Sequence, residues 1–443
     1  MNRTSIVMCA ASVLVVSLVA AVNLALPALT GALHPTESQL VWIVDAYVLV
    51  FACLLIPMGA AGDRLGGKGV LLAGLAVFAA GSLAAALAPH TGALIAARAL
   101  SGAGAAMIMP ASLSITVAAH PPERRAHAVG LWSAASGAAG VVGNVGGGLI
   151  IQYLPWQALF AVPALLALLL AGVTGLLVPR QPRRAAAVDP VGTGLLVLGC
   201  LALVFAIIEG PETGWTSAVV LGAFATAAVV LTGFVLHQLR APRPLLDPRL
   251  FARRELRAGA LGVSVLFFGL FALFFVNARF LQEERGLSPM VTGLAILPLV
   301  IPMVALSGRR APTLPAVAGG LASVVAGLGW LAWATTLPYP LYAAGLVLVG
   351  AGMGLALPAL STQIMAGLPA GRAGLGSGLN SAARELGSAV GVAVMGTALA
   401  TSGLRAGLVI VALCVAVGAA PVVGWLRTGT RALSAPAGGP LRP

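Results

Sequence analysis

Five charged side chains stand inside stretches that are otherwise apolar: Asp45, Arg98, Arg279, Arg384 and Glu385. Away from water a carboxylate resists ionisation, so it can take up and release a proton near neutral pH. An arginine in such a place costs about 2.5–3.5 kcal/mol to insert at a helix centre, so it has to face a partner inside the molecule. The chemistry open to this set is proton transfer and the holding of charge, rather than bond making. No histidine joins it, because His34, His90, His120, His127 and His237 fall in loops or at the ends of apolar runs. Cys9, Cys53, Cys200 and Cys414 lie far apart without the spacing of a metal site, and no nucleophile stands near a base. An enzyme and a metal centre are therefore not expected.

Most of these residues keep two readings. Asp45 either loads a proton from outside or sits hydrated at the interface. Arg98 faces the interior or snorkels to the nearer surface. Arg279, unusual for an outer end, either pairs with Glu283 or joins the cavity. Arg384 and Glu385 are neighbours, so they point to adjacent faces of one helix, one toward a cavity and the other toward a packed neighbour.

The elements that must position them are membrane helices. The chain has 443 residues, 59% hydrophobic and 8% charged, whereas soluble domains carry roughly 25% charged residues. A soluble fold is excluded. Breaking the chain at charge clusters and Pro/Gly turns gives fourteen apolar stretches of span length, among them 290–307 and 375–401. Their Leu/Ala/Val/Gly composition has no strand alternation, so an all-α polytopic membrane protein is expected. Two Arg- and Pro-rich linkers isolate the seventh and eighth stretches. The expected organisation is a six-helix bundle over 1–178, linkers with two inserted transmembrane helices over 179–257, a second six-helix bundle over 258–426 and a tail over 427–443. With both termini in the cytoplasm most of the 25 Lys and Arg fall inside, as the positive-inside rule requires. The net charge of +13 is then a matter of topology, and no nucleic-acid partner is expected.

One self-similarity links the two halves. Gly102-Ala103-Gly104, Pro110-Ala111, Arg124 and Gly130 recur as Gly350-Ala351-Gly352, Pro358-Ala359, Arg372 and Gly378. Repeated halves are how secondary transporters build two rocking bundles around a midplane site.

Several motifs carry a likeness across essentially the whole chain. The run from Gly59 to Lys68 contains Gly62-Asp63-Arg64-Leu65-Gly66-Gly67-Lys68. Arg98 precedes the small face Gly102-Ala-Gly104, and Gly137, Gly143-Asn144, Gly147 and Gly148 line the fifth stretch. The first stretch ends Val22-Asn23-Leu24-Ala25-Leu26-Pro27. In these the chain resembles the major facilitator superfamily, and within it the fourteen-span drug:proton antiporter family. The resemblance implies two six-helix bundles with two inserted helices. It also implies a conformational gating loop at Gly62, Asp63, Arg64, Gly66 and Lys68, in which Asp63 meets a basic group or a helix N-terminus across the bundle interface. It gives Arg98 a part in proton coupling, and Asp45, Glu385, Arg384, Arg279 and Asn23 stand with it as candidates for proton coupling or the substrate cavity. Gly137, Gly143, Asn144, Gly147 and Gly148 become an antiporter glycine face, for which plain close packing is the other reading.

Two departures stand out. Leu18 occupies the place of the family's buried first-span aspartate, and Asn144 that of a proline. The implied activity is export of a small, largely apolar drug, antibiotic or secondary metabolite in exchange for protons; the alternative is a symporter importing a small metabolite. The three in-membrane arginines outnumber the two acids, so the cavity is expected to be neutral to positive. No cofactor is expected beyond the proton gradient. The expected partners are a small-molecule substrate, protons and the lipid bilayer, with the protein a monomer in the cell membrane.

Overall fold

The computed structural model describes residues 3–179, 189–242, 244–287, 289–307, 309, 313–369 and 372–434. Within them the chain is helical. Backbone polar groups have no water to bond in hydrocarbon, and helices satisfy them internally. The first half contains α1 (Arg3–Leu33), α2 (Glu37–Leu65), α3 (Gly67–Ala86), α4 (Thr91–Ala118), α5 (Pro122–Tyr153) and α6 (Ala158–Leu177). Next come α7 (Pro190–Thr213) and α8 (Ala218–Arg240). The second half contains α9 (Arg254–Arg279), α10 (Pro289–Leu294), α11 (Leu297–Ser307), α12 (Thr313–Trp333), α13 (Tyr339–Ala366) and α14 (Ala373–Ser434). Helix starts are fixed locally. Thr36 and Gln39 form a capping box before α2, Asp189 and Ser217 cap α7 and α8, and proline opens α5 and α7.

Each half has its own apolar core. One includes Leu18, Tyr47, Phe78 and Trp132, the other Phe267, Leu299, Met353 and Leu360. A smaller cluster joins Leu49 and Cys53 of α2 to Val204 of α7, with Leu386 of α14 packed against it. Helix α7 therefore touches both halves.

The internal repeat is a repeat of contacts. A Cβ on Gly102 would run into the Tyr47 backbone of α2, and one on Gly350 into the Leu299 backbone of α11. Gly104 closes on Gly74 and Phe78 of α3; Gly352 closes on Gly320 and Val324 of α12. Gly130 presses on the Ser307 backbone in the opposite half, and Gly378 on Leu55 in its opposite half. Six glycines thus occupy three equivalent packing positions, where a side chain would force backbones apart.

Among the described residues twelve helices are long and apolar enough to cross a membrane, where the sequence predicts fourteen. The difference lies in two stretches. The expected 290–307 is interrupted by a turn at 295–296, which leaves Val291–Ser307 apolar but short. The expected 375–401 is the first leg of α14, whose glycines and serines, with Arg384 and Glu385, dilute its hydropathy. Gly403, at φ 80°, breaks α14, and a second apolar leg, Thr401–Thr428, follows.

Candidate functional site

At the arginine-rich end, α2 terminates in the gating-loop sequence. Gly66 adopts φ 90°, a conformation that favours glycine, and its N–H bonds Gly62 O at 3.1 Å. That turn directs Asp63 into the other half, where its carboxylate accepts from Gly374 N–H at 2.6 Å and Leu375 N–H at 2.9 Å. These are the free donors of a helix start, the place where negative charge is favoured. Gly59 and Gly374 press on each other's carbonyls, which lets the two helices close to this distance. Lys68 does the complementary work at a helix end, donating to Gly175 O at 2.8 Å and Val178 O at 2.7 Å at the close of α6. Arg64 is half-buried at the end of α2.

Deeper in the first half, Arg98 is fully buried on α4. Its Nε donates to Ile43 O at 2.9 Å and its Nη2 reaches Val44 O at 3.5 Å. The guanidinium lies 4.5 Å from the centre of the Tyr47 ring. This is the interior reading of Arg98, since a snorkelling side chain would be exposed. Asp45, half-buried one residue beyond these carbonyls, lies within electrostatic reach of Arg98. Tyr47 donates its hydroxyl to Val15 O of α1 at 3.0 Å, so one arginine and one tyrosine tie α1, α2 and α4 together.

Across the interface, Arg384 on α14 is also buried, 4.4 Å from the Phe267 ring of α9 and 5.5 Å from the Trp132 ring of α5. Trp132 is held from behind by its Nε1–H bond to Ser112 Oγ at 3.2 Å. Glu385 is half-buried and lies in the electrostatic field of both Arg384 and Tyr47. Tyr47 therefore has Arg98 of its own half on one side and Glu385 of the other half within reach. The structure gathers Asp45, Arg98, Arg384 and Glu385 around the seam between halves. Asn23 and Arg279 lie outside the residues whose side chains are described.

The glycine face divides. Gly143 and Gly147 meet Ser17 and Ala21 of α1, while Gly137 meets Met303 of α11 in the other half. Asn144 is exposed, turned away from Gly143 and Gly147, and Gly148 is half-buried. Leu18, in the position of the missing acid, is buried in the core of the first half. Sequence reasoning assigned no role to Tyr47, Trp132 or Asn380. The signal lay in their neighbours, since Tyr47 follows Asp45 by two residues and Asn380 precedes Arg384 by one helical turn.

The family described as Major Facilitator Superfamily matches residues 8–392. Multidrug resistance protein Stp of Mycobacterium tuberculosis is 34% identical over 388 residues, covering 86% of this chain and 72% of that protein. The methylenomycin A resistance protein of Streptomyces coelicolor is 34% identical over 390 residues, covering 86% and 82%. The multidrug efflux pump LfrA of Mycolicibacterium smegmatis is 35% identical over 384 residues, covering 84% and 76%. Among solved structures, the human organic anion transporter MFSD10 superposes with a TM-score of 0.69 at 18% identity, covering 95% of this chain and 100% of that one. The proton:xylose symporter XylE gives 0.68 at 13%, covering 94% of each. At these identities the two structures speak for the fold alone.

Proposed function

The chain belongs to the Major Facilitator Superfamily, and from that premise we propose that it is an exporter that exchanges protons for a small, largely apolar drug, antibiotic or secondary metabolite. It is a multi-pass membrane transport protein and not an enzyme. Efflux is what the name of its relative LfrA, a multidrug efflux pump, describes, and the name of Stp describes multidrug resistance. The observation that carries the proton part is the approach of buried charge from both halves to Tyr47: Arg98 at 4.5 Å and Glu385 within electrostatic reach. A proton gained or lost on Asp45 or Glu385 changes the balance at the seam where the halves must part. Such a step draws on the membrane potential, worth about 2.3 kcal/mol per charge per 100 mV. Asp63 on the start of α14 is the latch of the state with the arginine-rich end closed. No cofactor enters the cycle.

We assign fourteen crossings, counting the twelve apolar helices, the short 291–307 element and the first leg of α14. Six, two and six of them fall in 1–178, 179–257 and 258–426, with the arginine-rich end and both termini in the cytoplasm and the protein working as a monomer. In proteoliposomes with an imposed pH gradient, Asp45→Asn or Arg98→Ala abolishes pH-driven counterflow while leaving membrane insertion intact. Unchanged transport in both variants overturns their coupling roles.

A further inference from the structure

The guanidinium of Arg384 is buried to 4% exposure, yet its Nε and Nη1 have no hydrogen-bond partner among the described residues. A buried charged donor left unbonded is among the most unfavourable arrangements in a folded chain. Arg98, the other buried arginine at the seam, differs in degree: its Nε and Nη2 are engaged by the carbonyls of Ile43 and Val44, and Nη1 alone is unbonded among the described residues. One turn before Arg384 on the same helix face stands Asn380, at 1% exposure, with both Nδ2 and Oδ1 unbonded; Ser381 Oγ beside it is unbonded as well. Asn380, Ser381 and Arg384 thus present on one stretch of α14 polar atoms that no described residue bonds. Glu385, about 100° further round the helix, forms no bond with the two unpartnered nitrogens.

The setting of that guanidinium is specific. Gly387 and Gly391, continuing the stripe of Asn380 and Arg384, press on the Ser264 and Phe268 backbones of α9. Their missing side chains bring α9 close enough for Phe267 to lie under the guanidinium at 4.4 Å. Trp132, from the opposite half, covers it at 5.5 Å. Arg384 stands eleven residues into α14, about 17 Å from its start, or roughly half of a 30 Å hydrocarbon core. The charge therefore sits at mid-depth between an aromatic wall of its own half and an aromatic lid from the other. When the halves rock apart, Trp132 leaves with its half and uncovers unused charged donors flanked by an aromatic face.

We propose that Arg384, assisted by Asn380, anchors the carboxylate of an aromatic substrate whose ring packs against Phe267 and, in the closed state, Trp132. This deepens the export reading of the same seam by naming its substrate class. A guanidinium binds carboxylate through charge-assisted, planar hydrogen bonds that an ammonium does not reproduce. The Asn380 amide N–H is placed to bond a carboxylate held there.

The test uses the full chain in lipid nanodiscs at neutral pH, with two probes of one shape: naphthalene carboxylate and its uncharged methyl ester. Equilibrium binding should favour the carboxylate about tenfold, the ratio that one charge-assisted hydrogen bond supports. Arg384→Gln should bring the two probes level without losing the ester, Arg384→Lys should keep a reduced preference, and Asn380→Ala should weaken the carboxylate alone. Equal or tighter binding of the ester by the wild-type protein overturns the proposal, even if no variant folds. So does a preference that survives Arg384→Gln. Gradient-driven export of both probes by wild-type proteoliposomes is measured alongside. Export without the carboxylate preference overturns the anchor only, whereas the preference without export of either probe overturns the export reading and leaves the anchor standing.

Discussion

The carboxylate of Asp63 sits on the first turn of α14, bonded to the N–H groups of Gly374 and Leu375 at 2.6 and 2.9 Å. One residue of the first half thereby caps a helix of the second, and the two elements have to separate if this end is to open. Charge-assisted hydrogen bonds contribute roughly 1.5–3 kcal/mol each, with a further contribution from the helix dipole. Asp63→Asn keeps the shape and removes the charge. It should shift the balance toward the open end by about tenfold, or 1.4 kcal/mol. Electron-spin distances between labels on the exposed Leu65 and Arg309 report this as growth of a longer-distance population. An unaltered distribution would mean that the latch holds nothing.

Gly130 and Gly378 are equivalent in the repeat, and each packs on a backbone of the opposite half, at Ser307 and Leu55. A Cβ at either has to displace backbone rather than a flexible side-chain end. Gly130→Val and Gly378→Val should therefore have the same phenotype: normal insertion, loss of transport, and halves held apart at the arginine-rich end. Gly140→Ala and Gly222→Ala, where nothing lies within 4 Å, serve as controls and should transport normally. Cross-linking between cysteines placed at the end of α2 and the start of α14 distinguishes the two outcomes.

How far the site was legible depended on whether a residue's role follows from its own sequence neighbourhood. Gly66, Asp63 and the two repeats of Gly-x-Gly were readable because a tight turn and a close helix crossing each require one residue type at one place. The interior position of Arg98 followed once burial selected between two stated alternatives. Tyr47 and Trp132 were not readable, because their partners Glu385 and Arg384 lie more than two hundred residues away and come near only when the halves pack. The short 291–307 helix escaped for a different reason: its composition is that of a full span, and only the backbone turn at 295–296 cuts it.

Tyr47 offers a separable test of the seam. Tyr47→Phe keeps the ring under Arg98 and removes the bond to Val15 O, a loss of about 0.5–1.5 kcal/mol. Substrate binding should persist, with a modestly slower gradient-driven rate. Tyr47→Leu removes the ring as well and should abolish coupling. Glu385→Gln should leave binding intact while substrate-dependent proton release, followed by a pH-sensitive dye inside proteoliposomes, disappears. Full proton flux in Glu385→Gln would remove that residue from the coupling path.

Asp189 links α7 and α8 at the arginine-rich end. It caps α7 through Gly192 N–H at 2.8 Å and accepts from His237 Nε2 at 3.0 Å and Gln238 Nε2 at 2.7 Å, both from α8. Burial alone would push its pKa up, but the bonds from Gly192, His237 and Gln238, with the charge of His237, outweigh that and hold the carboxyl below its ordinary range. A carboxylate whose folded value is depressed stabilises the fold above its unfolded value, about 3.9, and loses that contribution as the pH falls through the folded value. Asp189→Asn should therefore lower the melting temperature of the purified protein at each pH from neutral down to about pH 5, since the carboxylate stays ionised there. Below about pH 4 the two proteins should converge as the wild-type group takes up its proton. Parallel melting curves throughout the acid range would show that the capping geometry, rather than the charge, supplies the stability.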